Sequence, residues 1–240
     1  GLSLTTKLLL GCDGVNSPCR TFANIESSSA SYGQSALITN VSTALPHNNI
    51  AYERFTDTGP IAMLPLTNNR CSLVWTLTPE LAMQMNDLEG DAFKVALEKA
   101  FGSYLGEITK VGKRVIYPLN LVQAKSQVFH RMALVGNASH TIHPIAGQGF
   151  NLGVRDVQQL ALLINNACNE GQDIGNFTLL NEYQQQRNHD QKQVIQLTDS
   201  LVTLFSNQLP PLVVGRNIGL KVLNYLSPLK KALVNKTMGY

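Results

Sequence analysis

The stretch from Leu134 to Asp156 constrains this chain more than any other. Ahead of it, Arg131 to Val135 has the length and composition of a buried strand, and the run ends in Gly136-Asn137. A turn fixed by Pro144 follows. Gly147-Gln148-Gly149 then opens a segment in which Leu152, Val157, Leu160, Ala161 and Ile164 recur at helical spacing. A glycine closing a strand lets backbone approach a ligand closely. The first turn of a helix holds unpaired N–H groups and the positive end of its dipole, which makes it an anion site. The same residues also suit a strand–turn–helix corner whose glycines serve only close packing, and the pattern leaves both open. It is not the dinucleotide fingerprint, because the third glycine, Gly153, falls one residue late and no strand runs straight into the motif.

Around this anchor the chain divides by periodicity. Leu8 to Leu10 is a short apolar strand closed by the turn Gly11-Cys12-Asp13-Gly14. Between Tyr32 and Leu77, strand-like runs (35–41, 51–56, 61–66 and 71–77) are separated by Pro, Gly and Asn, as in an antiparallel meander. One helical stretch is expected from Pro79 to Phe101, carrying Phe93, Leu97 and Phe101 at four-residue spacing. Lys113 to Leu121 reads as a strand, and Phe177 to Phe205 as a helix with a Gln-rich polar face. Strands and helices alternate in the outer thirds while the middle is mainly strands. The fold class is therefore α/β with a β-rich (α+β) domain inserted.

Charge and cysteines exclude several functions. Beyond residue 200 there are five basic side chains, Arg216, Lys221, Lys230, Lys231 and Lys236, and no acid. The first 200 residues hold 14 Lys and Arg against 16 Asp and Glu, so basicity belongs to the tail. No basic surface interleaved with aromatics runs through the body, which argues against nucleic acid. Cys12, Cys19, Cys71 and Cys168 form no CxxC pair, so neither a disulfide framework nor a zinc site is expected, and the compartment read from them is a reducing cytoplasm. His140 and His143 lie three apart but lack a third ligand nearby, and no metal is expected. No apolar run approaches the length of a membrane span. The chain opens on Gly1 and enters a strand almost at once, without an early partner, which reads as a start in mid-domain.

Two stretches carry a resemblance. Gly11-Cys-Asp-Gly14 with Ser17 and Arg20 resembles the second motif of the class A flavoprotein monooxygenases, the FAD-dependent aromatic hydroxylases. Gly136-Asn137, His143-Pro144 and Gly147-Gln-Gly-Phe-Asn151 resemble their third motif. Glu53 to Thr56, Gly59 to Leu66, Cys71 to Trp75 and Val213 to Leu220 look like the branch of that family that serves ubiquinone biosynthesis. The likeness covers nearly all 240 residues, with two departures. The family's N-terminal Gly-rich βαβ turn, for the ADP half of FAD, is absent from this sequence. The third-motif aspartate is Asn137, whose amide oxygen still accepts a hydrogen bond.

The resemblance implies a partial FAD-binding domain of the aromatic-hydroxylase type with an inserted substrate domain. The expected divisions are 1–31 and 128–205 for the FAD-binding part, 32–127 for the substrate part and 206–240 for a basic amphipathic tail. It implies cofactor-binding roles for Asp13, Arg20, Asn137, Pro144, Gly147, Gln148, Gly149 and Asn151, with no catalytic residue assigned. Asp13 and Arg20 would support the flavin region, Asn137 would face the ribityl chain, and the residues from Pro144 to Gly149 would lie against the ring. NAD(P)H would be the electron donor, with molecular oxygen and a polyprenylated phenol as substrates, and other ubiquinone-biosynthesis proteins as partners. The tail suggests peripheral attachment to the inner membrane. As an N-terminally truncated fragment, the 240 residues are expected to hold FAD weakly and to be inactive alone. Rival readings are a sister hydroxylase acting at another ring position and a non-catalytic lipid-binding or scaffold subunit. Tyr52, Arg54 and Trp75 fall on the strand-rich part, where packing is the default role for such residues and a phenol pocket the alternative.

Overall fold

Alternating hydropathy between Ser35 and Leu77 produces long strands with one apolar face, and the rest of the architecture follows from what covers that face. The structure is a computed structural model that describes residues 3–144, 147–206 and 228, with side chains up to residue 200 and at 228. The expected tail at 206–240 lies outside the described residues apart from Ser206 and Pro228. In chain order the strands are β1 Leu9–Gly11, β2 Ser27–Thr43, β3 Tyr52–Thr56, β4 Gly59–Leu66, β5 Arg70–Leu77, β6 Ile108–Val111, β7 Val115–Ala124, β8 Val128–Phe129, β9 Met132–Leu134 and β10 His140–Thr141. The helices are α1 Pro18–Phe22, α2 Pro79–Asp87, α3 Gly90–Phe101, α4 Gln148–Asn169 and α5 Phe177–Ser206. By their internal contacts they form two units, one with the residues up to Ala30 and Asn120–Ser200, the other with Ser31–Leu119.

In the second unit the strand order is β7-β2-β5-β4-β3, with β6 also beside β2. This differs from a simple meander, because β2 pairs with β5 in the register Leu37↔Trp75 and leaves β3 at the edge. One face gathers Leu37, Val41, Ile61, Met63, Leu73 and Trp75, and α2 and α3 cover it with Ala82, Phe93, Leu97 and Phe101. Phe93 and Leu97 are fully buried, and each such side chain stabilises the fold by roughly 1.5–3 kcal/mol. The single helix expected over 79–101 is two. Leu88 and Glu89 take extended backbone angles, and Arg114 caps the broken end by donating to the carbonyls of Met85 and Leu88 at 2.8 and 2.6 Å.

In the first unit, β1 finds its partner far downstream. It runs parallel to β9, with Leu9↔Met132 and Gly11↔Leu134, and β8 pairs antiparallel on the other side of β9. Parallel pairing brings the turn after Gly11 beside the turn after Leu134. α4 and α5 supply Leu160, Leu180 and Tyr183 to a cluster with Val128, Ala133 and Val135. The Tyr183 hydroxyl donates to the Leu134 carbonyl at 3.0 Å, and burial pushes its pKa well up.

Candidate functional site

Each of the two neighbouring turns is built by its own sequence. Gly11 leaves no room for a side chain, since a Cβ there would come within 2.9 Å of Cys19 Cβ and Leu134 Cδ2. Gly14 adopts a φ of 84°, the left-handed region that glycine enters at least cost. Ser17 then caps α1, accepting from the Arg20 N–H at 3.0 Å, with Pro18 in the first turn. The Asp13 carboxylate accepts from the Cys19 N–H at 2.9 Å. What burial it has would raise its pKa, but hydrogen bonds from Ser17 and Cys19 win and hold it below the ordinary carboxylate value.

Arg20 braces one turn against the other. Its guanidinium donates to the Ala138 carbonyl at 2.9 Å and to the Val15 carbonyl at 2.7 Å. Gly136, with φ 60°, turns the chain out of β9, and Asn137 stands exposed on the single 3-10 turn that follows. α4 begins at Gly147, which is left-handed (φ 63°) and provides no side-chain cap. Among the described residues no side-chain cap engages the N–H groups of its first turn.

These turns enclose a cavity of about 620 Å³. Of the residues singled out in the sequence, Asn137, Pro144, Gly147 and Gly149 line it, together with Cys12 and Gly14 of the other turn. Asp13, Arg20, Gln148 and Asn151 do not. Gln148 is buried, and Asn151 is exposed on the first turn of α4. His143 is buried beside the site, and desolvation lowers its pKa to about 4, so it is neutral at physiological pH.

The residue that sequence reasoning missed is Asp156. It is fully buried on α4 and accepts four hydrogen bonds. Oδ2 takes the Gly136 N–H at 3.0 Å and His140 Nε2 at 2.7 Å, while Oδ1 takes Arg187 Nε at 2.6 Å and Gln191 Nε2 at 3.2 Å. Burial alone would raise its pKa, but the bonds from His140 and Arg187 hold it low and the carboxylate ionised. Arg187 also donates to Asp190 at 2.7 Å. Asp156 thus ties the turn that carries Asn137 to both long helices. The signal was present: Leu152, Asp156 and Leu160 recur every four residues, so the acid sits on the buried stripe of α4. His140 is a buried structural histidine of this network, without a place in the cavity lining.

The chain is similar to known proteins. The profile of the family described as "FAD binding domain" matches residues 2–198. Ubiquinone hydroxylase UbiL of Rhodospirillum rubrum is 39% identical over 239 residues, covering 100% of this chain and 56% of that protein. The mitochondrial ubiquinone biosynthesis monooxygenase COQ6 of Homo sapiens is 34% identical, covering 98% and 57%. The chain therefore spans a little over half the length of these relatives. Among solved structures, p-nitrophenol 4-monooxygenase PnpA from Pseudomonas putida superposes with a TM-score of 0.77 at 16% identity, covering 96% of this chain and 59% of that one. The Diels-Alderase PyrE3 superposes at 0.70 and 21%, covering 97% and 50%. At such identities the structural likeness speaks for the fold alone.

Proposed function

The chain belongs to the FAD-binding domain family, and from that premise we propose that its protein is an FAD- and NAD(P)H-dependent monooxygenase hydroxylating a polyprenylated phenol in ubiquinone biosynthesis. The observation that carries this reading is the glycine-lined cavity at the start of α4. Among the described residues, a Cβ at Gly14 or Gly147 would meet nothing within 4 Å, and one at Gly149 would meet only Ile142, at an ordinary 3.7 Å. Packing therefore does not explain Gly149, whereas a flat ligand lying on the backbone does. The cavity residues fit a flavin in this way.

In this reading Asn137 holds a ribityl hydroxyl through its amide. Pro144 and the backbone from Gly147 to Gly149 lie against the ring, with Gln148 and Asn151 on the same turn of α4. The first-turn N–H groups of α4 stabilise negative charge that develops on the ring, a preorganised electrostatic role. Asp13 and Arg20 act by bracing the two turns. A flavin held there would supply the redox chemistry, with NAD(P)H as the two-electron donor and O2 as the oxidant, one oxygen atom entering an activated phenol and the other leaving as water. The first unit is then the cofactor part and the strand-rich unit the substrate part. Within the ubiquinone branch, we read the sequence as that of an octaprenyl-methoxyphenol hydroxylase, with a sister hydroxylase acting at another ring position as the alternative.

The test is the full-length gene product. It should purify yellow, oxidise NAD(P)H faster when a short-chain prenylated phenol is added, and transfer label from ¹⁸O2 to the ring. A colourless protein that still binds the phenol would leave the lipid-binding subunit as the better reading. No described helix is long and apolar enough to cross a membrane. We assign peripheral attachment to the basic segment 211–236, on its charge alone. Changing Lys221, Lys230, Lys231 and Lys236 to Gln should abolish co-sedimentation with anionic vesicles at low salt, and equal binding by both forms overturns it.

A further inference from the structure

The strand-rich unit has a cavity of its own, of about 480 Å³, which shares no residue with the glycine-lined one. It forms where the β3–β4 hairpin and the end of β5 meet α2 and α3. Trp75, Leu77, Leu81, Met85 and Ala100 make it apolar, and Arg54, Lys99 and Asp57 are the charged residues that line it. We propose that this cavity binds a small aromatic carboxylate.

Size and lining agree with a ligand site. Small-molecule pockets hold about 300–1,000 Å³ and combine apolar walls with a few placed polar groups. Of the polar side chains, the Thr56 and Thr58 hydroxyls already donate to the Gly59 and Thr76 carbonyls at 2.7 and 3.1 Å, so the donors left for a ligand are those of Arg54 and Lys99. Arg54 Nη1 donates to the Phe101 carbonyl at 2.9 Å, and that single bond pins the guanidinium. Among the described residues no other bond engages Arg54, so the rest of its planar fork, the geometry that grips a carboxylate, stays available. Lys99 makes no ion pair among the described residues. Asp57 opposes an anion, but it already has a partner, and two cations face this one acid. The indole of Trp75 is 5% exposed, packs tilted on Phe93 at 6.1 Å, and finds no acceptor for its N–H among the described residues. A rigid aromatic wall beside a lining with one positive charge in excess selects a flat apolar body carrying one negative head group.

Trp75 is the only tryptophan in the chain, so its emission reports on this cavity directly. The full chain would be titrated with benzoate, with neutral benzamide and with octanoate. Benzoate should change the emission saturably in the millimolar range or below, and benzamide should bind at least about tenfold more weakly, the loss of a charge-assisted pair. Lys99→Gln, at an exposed position, should weaken benzoate by up to roughly fivefold with the far-UV spectrum unchanged. Arg54→Gln should weaken it further, and Lys99→Gln keeps the test decisive where loss of the Phe101 contact disturbs the fold. Absence of a saturable response, equal affinity for benzamide, or indifference to Lys99→Gln overturns the site. Tighter binding of octanoate than of benzoate overturns the aromatic assignment.

Discussion

The two units are stabilised internally by opposite means. In the strand-rich unit, α2 and α3 lie on the sheet through a continuous apolar cluster from Leu37 to Ile108 whose members are at most 5% exposed. In the first unit, the inner face of α5 is polar between Gln184 and Gln191, with Leu180 and Tyr183 before that stretch and Val194 and Ile195 after it. Gln184 accepts from Ser126 and from the Gln127 N–H at 2.8 and 2.7 Å, Asn188 accepts from Gln127 at 3.1 Å, and Arg187 and Gln191 reach Asp156. An apolar face tolerates sliding, because any neighbour of the right size will do. A buried carboxylate with four fixed donors does not slide. The difference matters for function, since the polar seam ends on the backbone N–H of Gly136, next to the side chain proposed to hold the cofactor.

The largest effect is expected at the seam. Asp156→Ala leaves the Arg187 charge buried without this partner and should cost about 3–5 kcal/mol. Far-UV circular dichroism in a denaturant series would show the loss. Emission from Trp75, which lies in the other unit, should keep its midpoint. Coincident shifts in both signals would break the comparison, because the two units would then unfold as one.

The apolar unit supplies the reciprocal test. Leu97→Ala empties space in a fully buried site and should cost about 2–5 kcal/mol. Here the Trp75 transition should move, while flavin binding by the full-length product should change less than twofold. A large loss of flavin affinity would mean that this core also shapes the cofactor site.

Gly149→Val separates packing from ligand contact. Among the described residues the added Cβ meets only Ile142, at an ordinary 3.7 Å, so the stability should stay within about 0.5 kcal/mol of the original. In the full-length product, FAD affinity should fall by roughly 100-fold, equivalent to about 2.7 kcal/mol. Normal affinity would reduce the Gly-Gln-Gly turn to a packing corner.

The units should also differ in acid. His143 titrates near 4 when folded and near 6.5 when unfolded, so between those values the unfolded chain binds the extra proton. The stability this gives is full above pH 6.5 and is lost as pH falls toward 4, on the order of 3 kcal/mol. Asp156, with its lowered pKa, loses stability in the same direction at still lower pH. His143→Leu should flatten the acid limb of the circular dichroism transition. An unchanged slope would place the acid sensitivity elsewhere.

The same contrast explains what could be read in advance. Strands β3, β4 and β5 and the helices from Phe93 to Phe101 and after Gly149 announce themselves by periodicity, because their partners are apolar and periodicity records only apolar burial. The Gln-rich face of α5 carries the wrong sign for that rule: it looks solvated, yet Gln191 and Arg187 are buried. The break at Leu88-Glu89 escaped because the arginine that caps it, Arg114, lies beyond α3. β6 and α1 are too short to show a period. At the cavity, glycines and Asn137 could be named from sequence. That Arg20 spends two of its donors on the carbonyls of Ala138 and Val15 is a long-range contact that no local pattern encodes.

The smallest expected effect tests the departure at Asn137. The side chain is exposed and lines the cavity, so a change there leaves both cores untouched. An amide oxygen and a carboxylate oxygen can each accept from a ribityl hydroxyl, but the charged acceptor makes the stronger bond. Against that gain, a carboxylate at 137 loses hydration when the ligand closes over it, and the ionised Asp156 is bonded to the adjacent Gly136 N–H. The two terms nearly offset, and Asn137→Asp should alter FAD affinity in the full-length product by no more than about threefold, under roughly 1 kcal/mol. Asn137→Leu removes the acceptor altogether and should cost about tenfold, the value of one hydrogen bond made in a partly dry site. The informative quantity is the ratio between these variants, measured by flavin fluorescence. If leucine binds as well as asparagine, the side chain at 137 makes no contact with the cofactor, and Asp156 fixes this turn for its backbone alone.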